Sequence, residues 1–500
     1  MQQLHSPALA AQWLKGRVRG TLCADSRHVQ PGDGFIAWPG AAVDARRFAA
    51  VALQQGATAC LMEHDGVSQF GLSGEAYASF AGLKAGTGLI AAEFFDTPSR
   101  DLAVVAITGT NGKTSTAWWL AQALSALPGD AAMRCGVIGT LGVGVPPEVV
   151  STGLTTPDPV LLQRTLRQFV DGGLKACAIE ASSIGINEHR LAGLEIRVAV
   201  FTNLTQDHLD YHGDMANYWA AKRRIFSWTG LHSAVVNIDD AHGAKLAQEL
   251  HNTAIDVWTT STRVAARLQA LNIRYEGQGL QFEVAEGHST CTLRSRMMGT
   301  YNVSNLLGIL GAMRSLGVPL SQAVAACSNL HPVPGRMECV GGSHGEPLVA
   351  VDYAHTPDAL GQALQALQPL AQQRNGRLWC VFGCGGDRDA AKRPLMGAIA
   401  AKVADKVVVT SDNPRSEKPE SIIAQILLGL PTSNTVGVQS DRALAIAQTV
   451  AQAAANDVIL LAGKGHEATQ EIGGIKLDFS DRAHAEQALA QRRLSQGVLA

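Results

Sequence analysis

Gly109-Thr110-Asn111-Gly112-Lys113-Thr114-Ser115 combines two glycines, an ammonium and three hydroxyls in the spacing of a phosphate cradle. In such a turn the backbone N–H groups and the positive end of a following helix converge on an anion. Lys113 supplies a point charge for terminal phosphates, and the Thr114 hydroxyl suits Mg²⁺ ligation. The common phosphate-loop pattern would place glycine at position 107, where this chain has Ile107, so the loop is a shorter variant. A nucleoside triphosphate is the expected ligand.

Other segments carry polar groups fit for the same chemistry. Glu180 ends the apolar run Ala176-Cys177-Ala178-Ile179, a natural place for a Mg²⁺-binding carboxylate. Asn203-Leu204-Thr205-Gln206-Asp207-His208-Leu209-Asp210 follows another apolar run, and its two carboxylates and imidazole suit metal or phosphate chemistry. Lys222, within Tyr218 to Phe226, reads as a solvated lysine on an amphipathic helix. Asn302 and Asn305 can pair with both edges of a base or cap a helix near Leu306.

The elements that must hold these groups are legible as alternating apolar strands and helices. Leu102 to Ile107 leads into the loop as a buried strand, and Ala117 to Leu124 follows as a helix. Further strands are expected at Val198 to Phe201, Ala234 to Val236, Trp379 to Phe382, Val407 to Thr410 and Val458 to Leu461. Continuous apolar strands alternating with helices argue parallel sheets covered on both faces, whose ligands sit at the strands' carboxyl ends. The expected fold is α/β in three domains. Residues 1–96 form a small mixed domain, 97–333 the phosphate-loop domain, and 334–500 a Rossmann-like domain after the proline-rich linker His331 to Arg336.

At 500 residues, 46% hydrophobic and 17% charged, the chain has the make-up of an ordinary soluble protein. A net charge of −2 gives no general affinity for nucleic acid or anionic membranes. No apolar run is long enough to span a bilayer, and Met1 to Gly16 lacks a signal-peptide pattern. The nine cysteines are scattered, with no C-x-x-C pair, so reduced thiols in a cytoplasmic protein are expected.

The phosphate loop, Glu180 with Ser182-Ser183, and Asn203 to Asp210 together resemble the Mur ligases, ATP-dependent enzymes of peptidoglycan precursor synthesis. The resemblance runs from Asp25-Ser26-Arg27 to Asp481-Arg482. It is most specific to the branch adding the third amino acid to UDP-N-acetylmuramoyl-L-alanyl-D-glutamate. It implies that Lys113, Glu180, His208 and Lys222 carry catalysis, with Lys222 carbamylated by CO₂. Two Mg²⁺ ions are implied, one on Thr114 and Glu180, the other on His208 and the Lys222 carbamate. Gly109 to Ser115, Asn302, Asn305, Arg336 and Asp352 are the implied ATP contacts. Ser26, Thr155, Thr156, Ser182, Glu188 and Arg190 would hold the UDP-muramyl dipeptide. Two positions depart from the family's pattern: Ala41-Ala42 replace a His-Gln pair, and Ile184 stands where many relatives have His.

The amino acid added is the sharpest discriminator. Ser411-Asp412-Asn413-Pro414-Arg415 resembles the motif of the meso-diaminopimelate-adding enzymes. Arg388, Asp412, Asn413, Arg415, Gly463 and Glu467 are the implied contacts. Arg415 offers a planar fork for the distal carboxylate, and Glu467 would answer the distal ammonium. A lysine substrate would strand that guanidinium at a cost of roughly 2–5 kcal/mol. That corresponds to about thirty- to several-thousand-fold discrimination. A lysine-adding homologue should lack Arg415, and a folylpolyglutamate synthetase would not explain Asp412 to Arg415. A non-catalytic nucleotide switch would have no need of Glu180, His208 and Lys222 together. A dinucleotide-dependent oxidoreductase does not fit Lys113-Thr114. The expected partners are small-molecule substrates acting on a monomer.

Overall fold

The computed structural model describes residues 1–500 apart from 41–42, 277–278, 344, 433–434 and 496–500. Three α/β domains follow one another, each built on its own sheet. The first sheet is parallel throughout, in the spatial order Gln2–Leu4, Tyr77–Phe80, Ala59–Glu63, Gly34–Ala37, Leu22–Cys23.

The central sheet has eleven strands. Its parallel core sets Ala103–Thr108 between Val198–Phe201 and Ala176–Glu180. Ala103, Val105 and Ile107 pack under the helices Lys113–Ser125 and Tyr301–Ser315, while Val104 and Ala106 join Leu162 and Leu166 on the other face. A strand covered on both faces is apolar at every position, which is why this run was readable. The margins depart from the expected parallel sheet. Cys135–Gly139, Gly142–Val145 and Glu148–Val150 form an antiparallel meander, as do Leu268–Glu276, Gly279–Glu286 and Ser289–Ser295 at the opposite edge. In the latter, Leu280, Phe282 and Val284 enter the core, alternating with Gln281 and Glu283. Such half-covered strands give a weaker signal than a continuous apolar run.

The third sheet orders Glu338–Gly341, Leu348–Asp352, Val458–Ala462, Leu378–Phe382, Lys406–Val409 and Val436–Val438, with only the first strand antiparallel. A separate hairpin, Thr469–Ile472 with Ile475–Asp478, lies beside Arg415. Residues 329–337 contain no helix or strand, as the prolines there require. Among the described residues no helix is long and apolar enough to cross a membrane. All nine cysteines are free thiols, seven of them buried and Cys339 exposed.

Candidate active site

The phosphate loop follows the carboxyl end of Ala103–Thr108, and its helix begins at Lys113. Gly109 and Gly112 hold φ of +146° and +87°, conformations that glycine adopts without strain. Space is as decisive as angle, since a Cβ at Gly112 would lie 2.3 Å from Asn305 Oδ1, and one at Gly109 would lie 1.9 Å from Thr202 Oγ1. The segment after Val198–Phe201 braces the loop: the Asn111 backbone N–H donates to Asn203 Oδ1 at 2.9 Å, and Thr202 Oγ1 donates to the Asn111 carbonyl at 2.6 Å. Asn203 was quoted only as part of a motif, yet it shapes the cradle. Lys113 Nζ folds back on the carbonyls of Gly109 and Thr110, at 3.0 and 2.8 Å.

Glu180, the last residue of its strand, accepts from Thr114 Oγ1 at 2.9 Å and from the backbone N–H and hydroxyl of Thr140 at 2.8 and 3.2 Å. The hydroxyl and carboxylate expected to share a metal ion are thus adjacent oxygens, a donor set suited to a hard cation. A Cβ at Gly139 would press to 2.2 Å from Glu180 Oε1, so this glycine makes room for the carboxylate. Gly139, at the end of another strand, and Thr140, in the turn after it, escaped sequence reading because they carry no local motif.

Lys222 corrects the reading of it as a solvated helix lysine. It lies in Met215–Arg223, is 1% exposed, and donates to the Gly109 carbonyl at 2.7 Å. Its Nζ stands 4.3 Å from the Tyr218 ring centroid. Burial first, then the nearby Lys113 charge, hold the Lys222 ammonium well below its ordinary range, while Asp207 opposes them. Lys113 is lowered too, mainly by burial. His208 Nε2 lies 3.5 Å from Asp207 Oδ2, and its basicity is reduced by desolvation despite that carboxylate. The hydrogen bonds of the two buried amines run to loop carbonyls, and among the described residues no carboxylate hydrogen-bonds to either of them.

Asn111, Gly112, Ser115, Asn302, Asn305, Arg336 and Asp352 line one cleft of about 1270 Å³ between the central and C-terminal domains. Neither asparagine caps the helix near Leu306. That helix starts at Tyr301, and Asn302 and Asn305 lie within it, linked by a 2.9 Å hydrogen bond from Asn305 Nδ2 to Asn302 Oδ1. The C-terminal domain reaches the loop at two points. Arg336 Nη2 donates to Thr114 Oγ1 at 3.2 Å, and Asn111 Nδ2 donates to Asp358 Oδ2 at 3.0 Å. Arg336 lies 4.6 Å over the Tyr353 ring, and its buried Nε has no hydrogen-bond partner among the described residues, an open donor in the C-terminal domain. Asp352 accepts from the Met337 N–H at 2.8 Å, and burial raises its pKa.

The dipeptide set divides. Thr156 Oγ1 bonds Ser182 Oγ at 2.9 Å and the Glu180 carbonyl at 2.7 Å, Arg190 donates to the Thr156 carbonyl at 2.9 Å, and Thr155 pairs with Thr140 at 3.0 Å. These four surround the Glu180 strand end. Glu188 instead ties Lys84 of the N-terminal domain to Tyr211. Ser26 is separate, opening the 3₁₀ turn Ser26–His28 in the first domain. Ala41 and Ala42 lie outside the described residues.

Three loops at the carboxyl ends of the third sheet meet around Arg415. This residue holds φ +53° and donates from Nη1 to the Gly386 carbonyl at 2.7 Å. A Cβ at Gly385 would lie 2.9 Å from Arg415 Nη1 and 3.9 Å from Arg388 Cγ, so the two guanidinium arms flank that glycine. Glu467 accepts from Asn413 Nδ2 at 2.7 Å and from the buried Lys464 at 2.8 Å, a partner that sequence reading missed. Asp412 Oδ2 would lie 2.3 Å from a Cβ at Gly463. His466, next in the same loop, packs against Tyr353 with the rings tilted and their centroids 5.3 Å apart, so this pocket adjoins Arg336 and the nucleotide cleft.

The chain's matches agree with this geometry. Residues 107–313 match the Mur ligase middle domain, and 335–465 the glutamate ligase domain of Mur ligases. A UDP-N-acetylmuramoyl-L-alanyl-D-glutamate--2,6-diaminopimelate ligase of Acidovorax sp. (strain JS42) is 60% identical over 486 residues, 97% of each chain. A protein of the same name from Pseudomonas aeruginosa is 45% identical over 94% of each. A solved structure of a ligase so named superposes with TM-score 0.64 at 35% identity, over 95% of each chain. MurF from Acinetobacter baumannii shares the fold, with TM-score 0.68 at 19% identity over 97% and 98%. The chain belongs to the Mur ligase family.

Proposed function

We propose that this chain joins meso-2,6-diaminopimelate to the D-glutamate γ-carboxylate of UDP-N-acetylmuramoyl-L-alanyl-D-glutamate at the expense of ATP, in peptidoglycan precursor synthesis. The observation that carries the reading is the meeting of a phosphate loop, an interdomain cleft and the Arg415 pocket in a chain 60% identical to a ligase so named. The division at 96/97 and 333/334, a cytoplasmic location and a monomeric state belong to the same reading.

ATP lies in the cleft with its phosphates on the Gly109-to-Ser115 loop and its base toward Asn302 and Asn305. Lys113 leaves the loop carbonyls for the phosphates, and Arg336 adds its guanidinium from the opposite domain. Thr155, Thr156, Ser182 and Arg190 orient the acceptor's carboxylate beside Glu180. That carboxylate attacks the γ-phosphorus in line, releasing ADP and giving an acyl phosphate. The diaminopimelate amine, held by Arg415, Arg388, Asp412, Asn413, Gly463 and Glu467, attacks the acyl carbon and expels phosphate. Proximity of the two pockets across His466 and Tyr353 supplies the effective concentration.

Thr114 and Glu180 would hold one Mg²⁺, and His208 with carbamylated Lys222 a second. Bound Mg²⁺ supplies charge neutralisation for the transferring phosphoryl group. The environment of Lys222 fits the modification, because a buried, neutral amine is the form that adds CO₂. The new N–C bond forms as the nitrogen loses a proton, and the product is an anion between Lys113 and the loop.

The test is product formation. With ATP, Mg²⁺, the UDP-linked dipeptide and meso-diaminopimelate, the product should gain the mass of diaminopimelate less water, with one phosphate released per bond. Phosphate release without a mass gain contradicts the reading.

A further inference from the structure

The two loops assigned to the incoming amino acid are stitched together beneath the surface. Arg442 donates to the Ser411 carbonyl at 3.1 Å and the Ala462 carbonyl at 2.9 Å, the residues just before Asp412 and Gly463. Its charge is met by Asp481 at 2.6 Å, with neither side chain exposed. Gln470 Nε2 donates to Ser411 Oγ at 3.0 Å and the Asp412 carbonyl at 2.7 Å.

Lys464 is the stitch that touches the recognition groups themselves. Fully buried, it donates to Asn413 Oδ1 at 3.0 Å, Glu467 Oε2 at 2.8 Å and the Thr469 carbonyl at 2.8 Å. All three ammonium donors are used inside the two loops. Asn413 Oδ1 also accepts the Glu471 N–H at 3.0 Å, so its amide is fixed with Nδ2 on Glu467 Oε2. Glu467 therefore has one oxygen engaged twice, while Oε1 receives no hydrogen bond from any of the described residues.

We propose that Lys464 is a positioning residue for amino-acid selection: it locks Asn413 and Glu467 so that Glu467 Oε1 alone is left for the substrate's distal ammonium. This rests on the reaction proposed above. A buried ion pair is weak evidence of stabilisation, because desolvation offsets the Coulomb gain. The contribution of Lys464 is then geometric, holding a three-torsion carboxylate in one rotamer before the substrate arrives.

Steady-state kinetics of Lys464→Met, Glu467→Gln and the double variant test this, with ligation by the parent chain measured first. No ligation by the parent overturns the reaction and this proposal with it; once the parent ligates, the kinetic arms test Lys464 separately. The expected result for Lys464→Met is a KM for diaminopimelate raised about tenfold or more, with kcat and KM for ATP within about threefold. The double variant should be no worse than the poorer single one, because both act through the same carboxylate. An unchanged KM for diaminopimelate, or effects that multiply, overturns the proposal. Lys464→Gln, which keeps one donor in the slot, carries the same test should the methionine variant not fold. If neither variant folds, Lys464 serves the fold alone and the proposal falls.

Discussion

Arg336 of the C-terminal domain reaches 3.2 Å from the Thr114 hydroxyl of the central domain, so one hydrogen bond already joins the two walls of the nucleotide cleft. The same guanidinium keeps a buried Nε without a partner among the described residues and rests on Tyr353. A charged donor of this kind contributes about 1.5–3 kcal/mol when it meets a phosphate. Arg336→Ala should therefore raise the KM for ATP by roughly ten- to a hundredfold. Initial rates against ATP check this, and an unchanged KM would place the arginine outside nucleotide binding.

Gly112→Ala joins two penalties at one position. Its φ of +87° strains any L side chain, and the added methyl would meet Asn305 Oδ1 at 2.3 Å. A loss of about 1–3 kcal/mol in stability is expected, together with weaker nucleotide binding. Gly112→Ala with Asn305→Ala should recover part of the loss by removing the clash while the strain remains. Thermal midpoints with and without ADP decide it.

Lys222 yields a prediction about CO₂. Protein stripped of bicarbonate should lose most of its ligation activity and regain it when bicarbonate returns. Lys222→Ala should be inactive and recover partly with a short carboxylate such as acetate. A Lys222→Ala variant as active as the parent would contradict the carbamate.

His466 gives a pH signature in stability. Burial, with Arg336 and Lys464 beside it, pushes its pKa down from 6.5 to about 4. Between these values the unfolded chain binds the proton and the folded chain does not, so stability falls on acidification through that window. His466→Gln removes the group, so its thermal midpoint should drop less between pH 7 and pH 5 than the parent's. Parallel curves for the two proteins would show that His466 does not titrate as described.

The sequence made the centre of each sheet legible and left the edges obscure. Ala103–Thr108 and Val458–Ala462 are apolar at nearly every position because helices cover both faces. The outer strands of the marginal meanders, Gly142–Val145, Glu148–Val150 and Ser289–Ser295, are exposed or half-buried at most positions and so carry only short apolar runs. Site residues that share a loop were the readable ones: Gly109 to Ser115 by spacing, Asp412 to Arg415 by resemblance to a family motif. Groups assembled across the chain were not: Thr140 meets Glu180 from the turn after another strand, Asp358 meets Asn111 from another domain. The burial of Lys222 was equally hidden, since its short helix mixes polar and apolar residues and only packing beneath the phosphate loop removes it from water.

The amino acid added is the central claim, and a competition measures it most directly. The protein receives ATP, Mg²⁺, UDP-N-acetylmuramoyl-L-alanyl-D-glutamate and equal concentrations of meso-diaminopimelate and L-lysine, and the product is weighed by mass spectrometry. The diaminopimelate product should dominate by about thirtyfold or more, the lower bound for an unpaired Arg415. Arg415→Ala should lose most of that preference. Equal amounts of the two products from the parent chain, or lysine product in excess, would contradict the account.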